Sequence, residues 1–437
     1  MICSRHADSP PQYRELAWSS AAIRGSGRWR GAQLKSRGVR TLDRIEQVLF
    51  GIGLILMKFQ RFIRALSLPF LITLSSQGLA AQVSVGEERF RVGSPPGVEF
   101  GNVSGIAVLE SGRVVVADRL ASVLLVFESD GTLTARVGRD GNGPGELIIP
   151  CCVRTSQTGD VWVRPAGTPS RFDVFHETSS GLAFDRRIRY SPPGRTGHSM
   201  PGISADGSFS VRLVSTDEDR MQELWRFGPG GETIGQVELP DLPPGDSVGP
   251  VMVKFAGSQM QLPYGVPYRP LRLIALDRSG GFAVVITSSY RIRAYDAAGI
   301  PKWTVQRESP PHRLSTDERR VGEESLQSIR DYVARGGGDT RSLVLPEYLP
   351  PILRIWFDSH DRLWVQASRS SAADFEEADV FRPDGSFVTR ARWPKGIDLT
   401  WGAIKGAMAW GVASDEWDVD YLVRVDFEGG QLAISGN

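Results

Sequence analysis

The chain has 437 residues, of which 41% are hydrophobic and 23% charged, with 48 Gly, 28 Pro and a formal net charge of +1. That composition excludes a disordered polymer, a fibrous repeat and a disulfide-stapled miniprotein. Near-neutrality also argues against a general nucleic-acid binder, which needs a basic surface to displace counterions.

The average conceals a split. Residues 1–81 carry 12 Lys/Arg against 4 Asp/Glu, whereas residues 82–437 carry 39 against 46. Met57-Lys-Phe-Gln-Arg-Phe-Ile-Arg64 precedes the apolar run 65–74 and a small-residue exit at Leu79-Ala-Ala-Gln82. This order reads as a secretory signal peptide over 57–81, cleaved after Ala81. The apolar run is well short of the ~20 residues needed to span a bilayer. Residues 1–56 then read as a disordered basic leader produced by a mis-set translation start, with Met57 the initiator. The alternative is a genuine leader before an internal signal-anchor. Residues 82–437 are expected to be exported, to the periplasm or the exterior, as a monomer with no membrane span and no nucleic-acid partner.

A recurring unit follows, in which short apolar stretches alternate with Gly/Asp turns. Its signature is an aromatic or apolar residue, a short turn and a Gly. It occurs at Phe127-Glu-Ser-Asp-Gly131, Phe175 to Gly181, Phe227-Gly-Pro-Gly-Gly231, Tyr295-Asp-Ala-Ala-Gly299, Phe381-Arg-Pro-Asp-Gly385 and Val425-Asp-Phe-Glu-Gly429. Five of the six keep a four-residue step, which suits a hairpin turn with a positive-φ residue. Near-continuous apolar strands, such as Arg113-Val-Val-Val-Ala117 and Phe282 to Ile286, imply burial on both faces. Four-stranded antiparallel sheets stacked around an axis provide it, so the expected fold is an all-β, six-bladed β-propeller, with seven blades as the alternative. Gly86 to Val92 is an extra strand and the last unit is short of one. Lending the first to the second would close the ring.

The segment from Gly105 to Val137, with Gly138-Arg-Asp-Gly-Asn-Gly-Pro-Gly-Glu-Leu147 and Pro150 after it, resembles an NHL-type repeat. The features that carry the resemblance are Val116-Ala117-Asp118, the Phe127–Gly131 turn and the linker ending Gly-Pro-Gly-Glu-Leu. It is good over the first two units and reduced to strand-and-turn skeleton over the other four. What it implies is a six-bladed propeller; such propellers host binding modules and a few enzymes.

In a meander blade, the turns after strands one and three share one face, and the loops after strands two and four share the other. The first set is tight (Ser111-Gly112, Asp206-Gly207, Asp130-Gly131, Asp384-Gly385), whereas the second holds the long insertions 240–270 and 306–351. Binding is expected at the loop-rich face. Within the second insertion, Ser315-Thr-Asp-Glu318 is a capping box opening a helix with Leu326, Ile329 and Val333 on one side. That helix is either a lid or a packed decoration. Arg164, Arg212 and Gln366 fall in one register at the ends of second strands, with Asp118 nearly so; two Arg there could grip a carboxylate or phosphate. Tyr264, Tyr268, Trp393 and Trp401 are expected to add aromatic contact area from the insertions.

Other motifs carry less. Gly245-Asp-Ser247-Val-Gly249 matches a nucleophile elbow, but its Pro-rich flanks deny it the strand and helix that chemistry needs. Asp140 to Glu146 lacks the donors of a calcium loop and reads as a structural turn. Glu323-Glu324 and Glu376-Glu377 read as solvated charges. Adjacent Cys151 and Cys152 read as a buried, inert pair, because a ring closed by pairing them would be strained. His176, His198, His312 and His360 show no zinc spacing. The functional expectation is a binding or interaction module for a ligand or protein partner, without cofactor and without an assigned catalytic residue. The alternative is a metal-assisted lyase or lactonase at the mouth of the central channel, which would need a divalent metal.

Overall fold

The computed structural model describes residues 83–93, 98–165, 170–192, 195–197, 199–215, 222–241, 248–257, 261–368, 373–428 and 432. The leader and signal peptide expected over 1–81 lie outside the described residues.

Six antiparallel sheets follow one another along the chain. Blade I consists of Val103–Val108, Val114–Asp118, Val123–Phe127 and Leu133–Val137, and blade II of Pro150–Thr155, Val161–Pro165, Arg171–Thr178 and Gly181–Arg189. In blade III the first strand is split into Arg195–Gly197 and Gly202–Ile203, followed by Phe209–Ser215, Gln222–Phe227 and Thr233–Val237. Blade IV spans Arg272–Leu276, Phe282–Ile286, Arg291–Tyr295 and Pro301–Gln306; blade V spans Ile352–Phe357, Leu363–Ala367, Phe375–Phe381 and Phe387–Pro394. Blade VI again has a split first strand, Ile397–Asp398 and Ile404–Lys405, then Met408–Ser414 and Asp420–Phe427.

The missing fourth strand of blade VI is Val83–Val92. It pairs antiparallel with Asp420–Phe427 and, at Val83 to Val85, parallel with the outer strand of blade V. The ring is therefore closed by the first described strand, as the strand arithmetic of the sequence requires, and the last blade has no open edge there.

Burial explains why these strands are apolar throughout. Every residue of the first three strands of blade I is buried, whereas its outer strand alternates with solvent. Six core clusters lie between successive blades. Trp410 and Leu422 of blade VI pack with Ile106 and Val114 of blade I; Trp162 and Phe172 of blade II pack with Phe209 and Phe227 of blade III. A seventh cluster is separate and belongs to the insertions.

The tight turns follow one chemistry. Asp130, Asp206 and Asp384 each accept the amide two residues on, and the following Gly takes a left-handed φ of 80 to 87°. At Gly131 the space is taken as well: an added Cβ would stand 2.5 Å from Phe90 of the closing strand. In the sixth copy of the turn signature, Val425 lies within the third strand of blade VI, opposite Glu88 of the closing strand, and Gly429 lies outside the described residues.

Candidate functional site

The two ends of the axis differ. At the tight-turn end, hydrogen bonds from side chains to side chains and carbonyls cross-link all six blades. The Arg278 guanidinium of blade IV donates to the Ser156 carbonyl of blade II at 2.7 Å, to the Ser359 carbonyl of blade V and to Glu110 of blade I at 3.3 Å. Arg154 of blade II donates to the carbonyls of Pro201 and Leu276, entering blades III and IV. Lys405 of blade VI donates to the carbonyl of Glu110. The Arg278 amide also donates to the Asp361 carboxylate at 2.7 Å. Burial lowers the Arg154 pKa and raises that of Asp361, the latter helped by the Asp277 charge. The cavity left here, lined by Arg154, Arg278, Ser359 and Trp401, measures about 30 Å³, room for one or two waters. That volume suits a structural plug, not a substrate pocket. His360 sits in the same set of turns, its amide bound by Asp358, and burial lowers its pKa.

The loop-rich end carries Arg164 and Arg212. In strand register they are equivalent: Val161 faces Phe175 as Phe209 faces Phe227, and each Arg follows three residues on. Alternation along a strand puts Arg164 on the same blade surface as Trp162, which packs against Phe209 of blade III. Arg164 Nη2 lies 3.6 Å from the Cys152 sulfur, and the two residues are paired across blade II. Tyr190, on the connection from blade II to blade III, stacks on Phe172 at 5.3 Å. Its hydroxyl is buried with no hydrogen-bond partner, as is the indole nitrogen of Trp162 in the same cluster. Burial pushes the Tyr190 pKa up to about 12, and the nearby Arg164 charge offsets this only in part. Arg272 begins the inner strand of blade IV at this end, and Arg354 is the third residue of the inner strand of blade V, paired to Asp398 at 3.2 Å.

The other expected site residues are engaged inside the fold. Asp118 is buried and its carboxylate accepts the amides of Gly101, Asn102, Leu120 and Ala121, so it clamps the loop after the second strand. Gln366 donates to Glu376 at 2.8 Å. Tyr268 is buried and Tyr264 half-buried in the core where the two insertions meet. That core joins Val251–Lys254 and Gln261–Tyr264 of the first insertion to helix α1, Thr316–Arg335, of the second. The capping box on Ser315 and Glu318 is formed, and Leu326 and Val333 are buried with Ile329 beside them. The Gly337 carbonyl accepts from Ala256 N, and Asp339 N donates to the Lys254 carbonyl, so the segments are also stitched by backbone.

Four readings are corrected. Trp393 belongs to the outer strand of blade V, buried, its indole donating to the Ile397 carbonyl, and not to an insertion. Trp401 lies by the axial cavity at the tight-turn end. Glu377 is not a solvated charge: it is buried and paired with Arg392 at 2.6 Å and Arg390 at 3.4 Å. Cys151 and Cys152 are not an inert free pair but are joined as a disulfide between neighbouring residues. The ladder slip between Pro150 and Cys152 provides the local bulge in which such a ring fits.

The Asp140 to Glu146 segment is a turn, its Glu146 carboxylate accepting from Gly143 N and Arg139. Ser247 and His198 lie outside the described residues, as do parts of the loops after the second strands of blades II, III and V. Among the described residues no group of three or more His, Cys, Asp or Glu converges as metal ligands would. No helix of the described residues is long and apolar enough to cross a membrane.

Sheet order, closure and interblade cores define a six-bladed β-propeller, with a single helix among the described residues. A family profile described as a 6-bladed beta-propeller matches residues 96–150. No curated protein matches the sequence. Among solved structures, the chain is similar to a member of the duf4221 family from Bacteroides vulgatus, at 12% identity and a TM-score of 0.45, covering 80% of this chain and 97% of that one. It is similar to a protein from Bacteroides fragilis described as exported, at 13% identity and 0.44, covering 79% and 96%. A gluconolactonase from Xanthomonas campestris aligns at 12% identity and 0.39, covering 80% and 93%.

Proposed function

We propose that the chain is an exported binding module that takes an anionic ligand, a carboxylate or phosphate, at its loop-rich face. The observation that carries the reading is the arrangement of side chains where blades II and III meet. Arg164 stands there over an aromatic cluster whose Tyr190 hydroxyl and Trp162 indole are buried without partners. Unsatisfied buried polar groups are costly, and a ligand acceptor that completes them recovers that cost on binding. Arg212, one blade on, supplies a second guanidinium at the same register, and planar guanidinium groups suit carboxylate and phosphate oxygens. Export accords with the signal-peptide pattern at 57–81.

Calorimetric titration of the purified chain with citrate and with inorganic phosphate tests the reading. Saturable binding of at least one, weakened tenfold or more in Arg164→Gln, is the expected result. Absence of binding to both, or binding unaffected by that substitution, would overturn it.

A further inference from the structure

We propose that Cys151–Cys152 is a reducible site, exchanging with a dithiol, in which Cys152 leaves as a thiolate held by Arg164. The pair follows Pro150 at the start of the inner strand of blade II, at the loop-rich end, and both residues are partly exposed. The chain slips one register between Pro150 and Cys152, which makes Cys151 the additional residue of a bulge, outside the ladder. Cys152 is in the ladder, opposite Arg164, and the guanidinium lies 3.6 Å from its sulfur. A fixed positive charge at that distance favours the thiolate over the thiol, and the sulfur with the lower pKa is the better leaving group.

The direction of exchange follows. A dithiol thiolate attacks Cys151 Sγ; the S–S bond breaks and its electron pair goes to Cys152 Sγ, which Arg164 stabilises. The second thiol of the reagent, deprotonated, attacks its own sulfur in the mixed disulfide and releases Cys151, which takes up a proton. The protein disulfide is reduced by two electrons and the dithiol is oxidised to its cyclic disulfide. Because Arg164 also belongs to the proposed anion site, the Cys152 thiolate would compete with that ligand for the guanidinium. This consequence rests on the binding reading; the exchange itself does not.

The test uses residues 82–437 purified without reductant, dithiothreitol as the dithiol, and iodoacetamide labelling read by mass spectrometry. No thiol should label before reduction and two should label after it. In a Cys151→Ser background, Cys152 should alkylate with a pH midpoint below the ordinary thiol value of about 8.5. Adding Arg164→Gln should slow labelling at pH 7 about tenfold, the equivalent of one pKa unit, and Arg164→Lys should restore most of it. Two labelled thiols before reduction, or a midpoint at or above the ordinary value in Cys151→Ser, would overturn the proposal. The midpoint decides alone if Arg164→Gln does not fold. Anion titration plays no part in this assay, so its failure would leave the redox result standing.

Discussion

Val92 lies in antiparallel register with Leu422, and this pairing of the first strand with the last holds the ring closed. Phe90 of the same strand packs edge-on against Trp410 at 5.7 Å and stands over the turn at Gly131. The closing strand therefore bridges blade VI and blade I, and its loss should be felt well beyond its own hydrogen bonds.

Deleting residues 83–92 should leave the Asp420–Phe427 edge unpaired. The variant should melt at lower temperature, with loss of a single cooperative transition, and self-associate through the exposed edge. Phe90→Ala, a milder version, should cost about 2–4 kcal/mol in denaturant titration. An unchanged melt for the deletion would show that the closing strand is dispensable.

Arg278 joins blades I, II, IV and V at the tight-turn end. Arg278→Ala removes charge-assisted bonds from a group that is mostly buried and should cost about 2–4 kcal/mol. Urea unfolding would measure it, with anion binding at the opposite face expected to persist.

Asp361 adopts φ 55° at the turn position filled by Gly112, Gly159, Gly207 and Gly280 in blades I to IV. Asp361→Asn tolerates that backbone and keeps an acceptor for the Arg278 amide, while Asp361→Val should cost about 1–3 kcal/mol. The pH sign is set by burial, which raises the Asp361 pKa. Its contribution is full below the unfolded value of 3.8 and declines as pH rises through the folded value. Asp361→Asn should remove that decline, visible as a flatter dependence of melting temperature on pH from 4 upward.

Much of this frame was readable in the chain. The blades announce themselves because strand, turn and Gly are local signals, and the extra strand at Gly86 together with the short last unit predicted ring closure. The axial plug was not legible, since Arg278 and Ser156 are 122 residues apart and neither sits in a motif. The shared core of the insertions was equally hidden: Tyr268 and Leu326 come from two loops that only blade IV brings together. Glu377 looked solvated because its partners Arg390 and Arg392 lie on the next strand, where register and not spacing makes the pairs. Tyr190 had no sequence signal beyond being an aromatic after a strand.

The insertion core should behave as one unit. Leu326→Ala should raise hydrogen exchange together in 251–264 and 316–349, with the inner strands of the blades unaffected. Exchange confined to the helix would contradict a shared core.

Tyr190 offers a sharp contrast between stability and binding. Its raised pKa means stability from the neutral phenol is full below pH 10 and is lost as pH rises through about 12. Tyr190→Phe removes a buried hydroxyl without a partner, so the free protein should gain up to about 1 kcal/mol while anion affinity falls. Thermal melts with and without citrate would show both effects.

The most direct test compares the two faces of the ring by the same titration. Citrate and phosphate affinities should collapse in the Arg164→Gln/Arg212→Gln double variant and stay within twofold of the parent in Arg278→Ala. Binding that survives the double variant, or that is lost with Arg278 while the fold is retained, would contradict a ligand site at the loop-rich face.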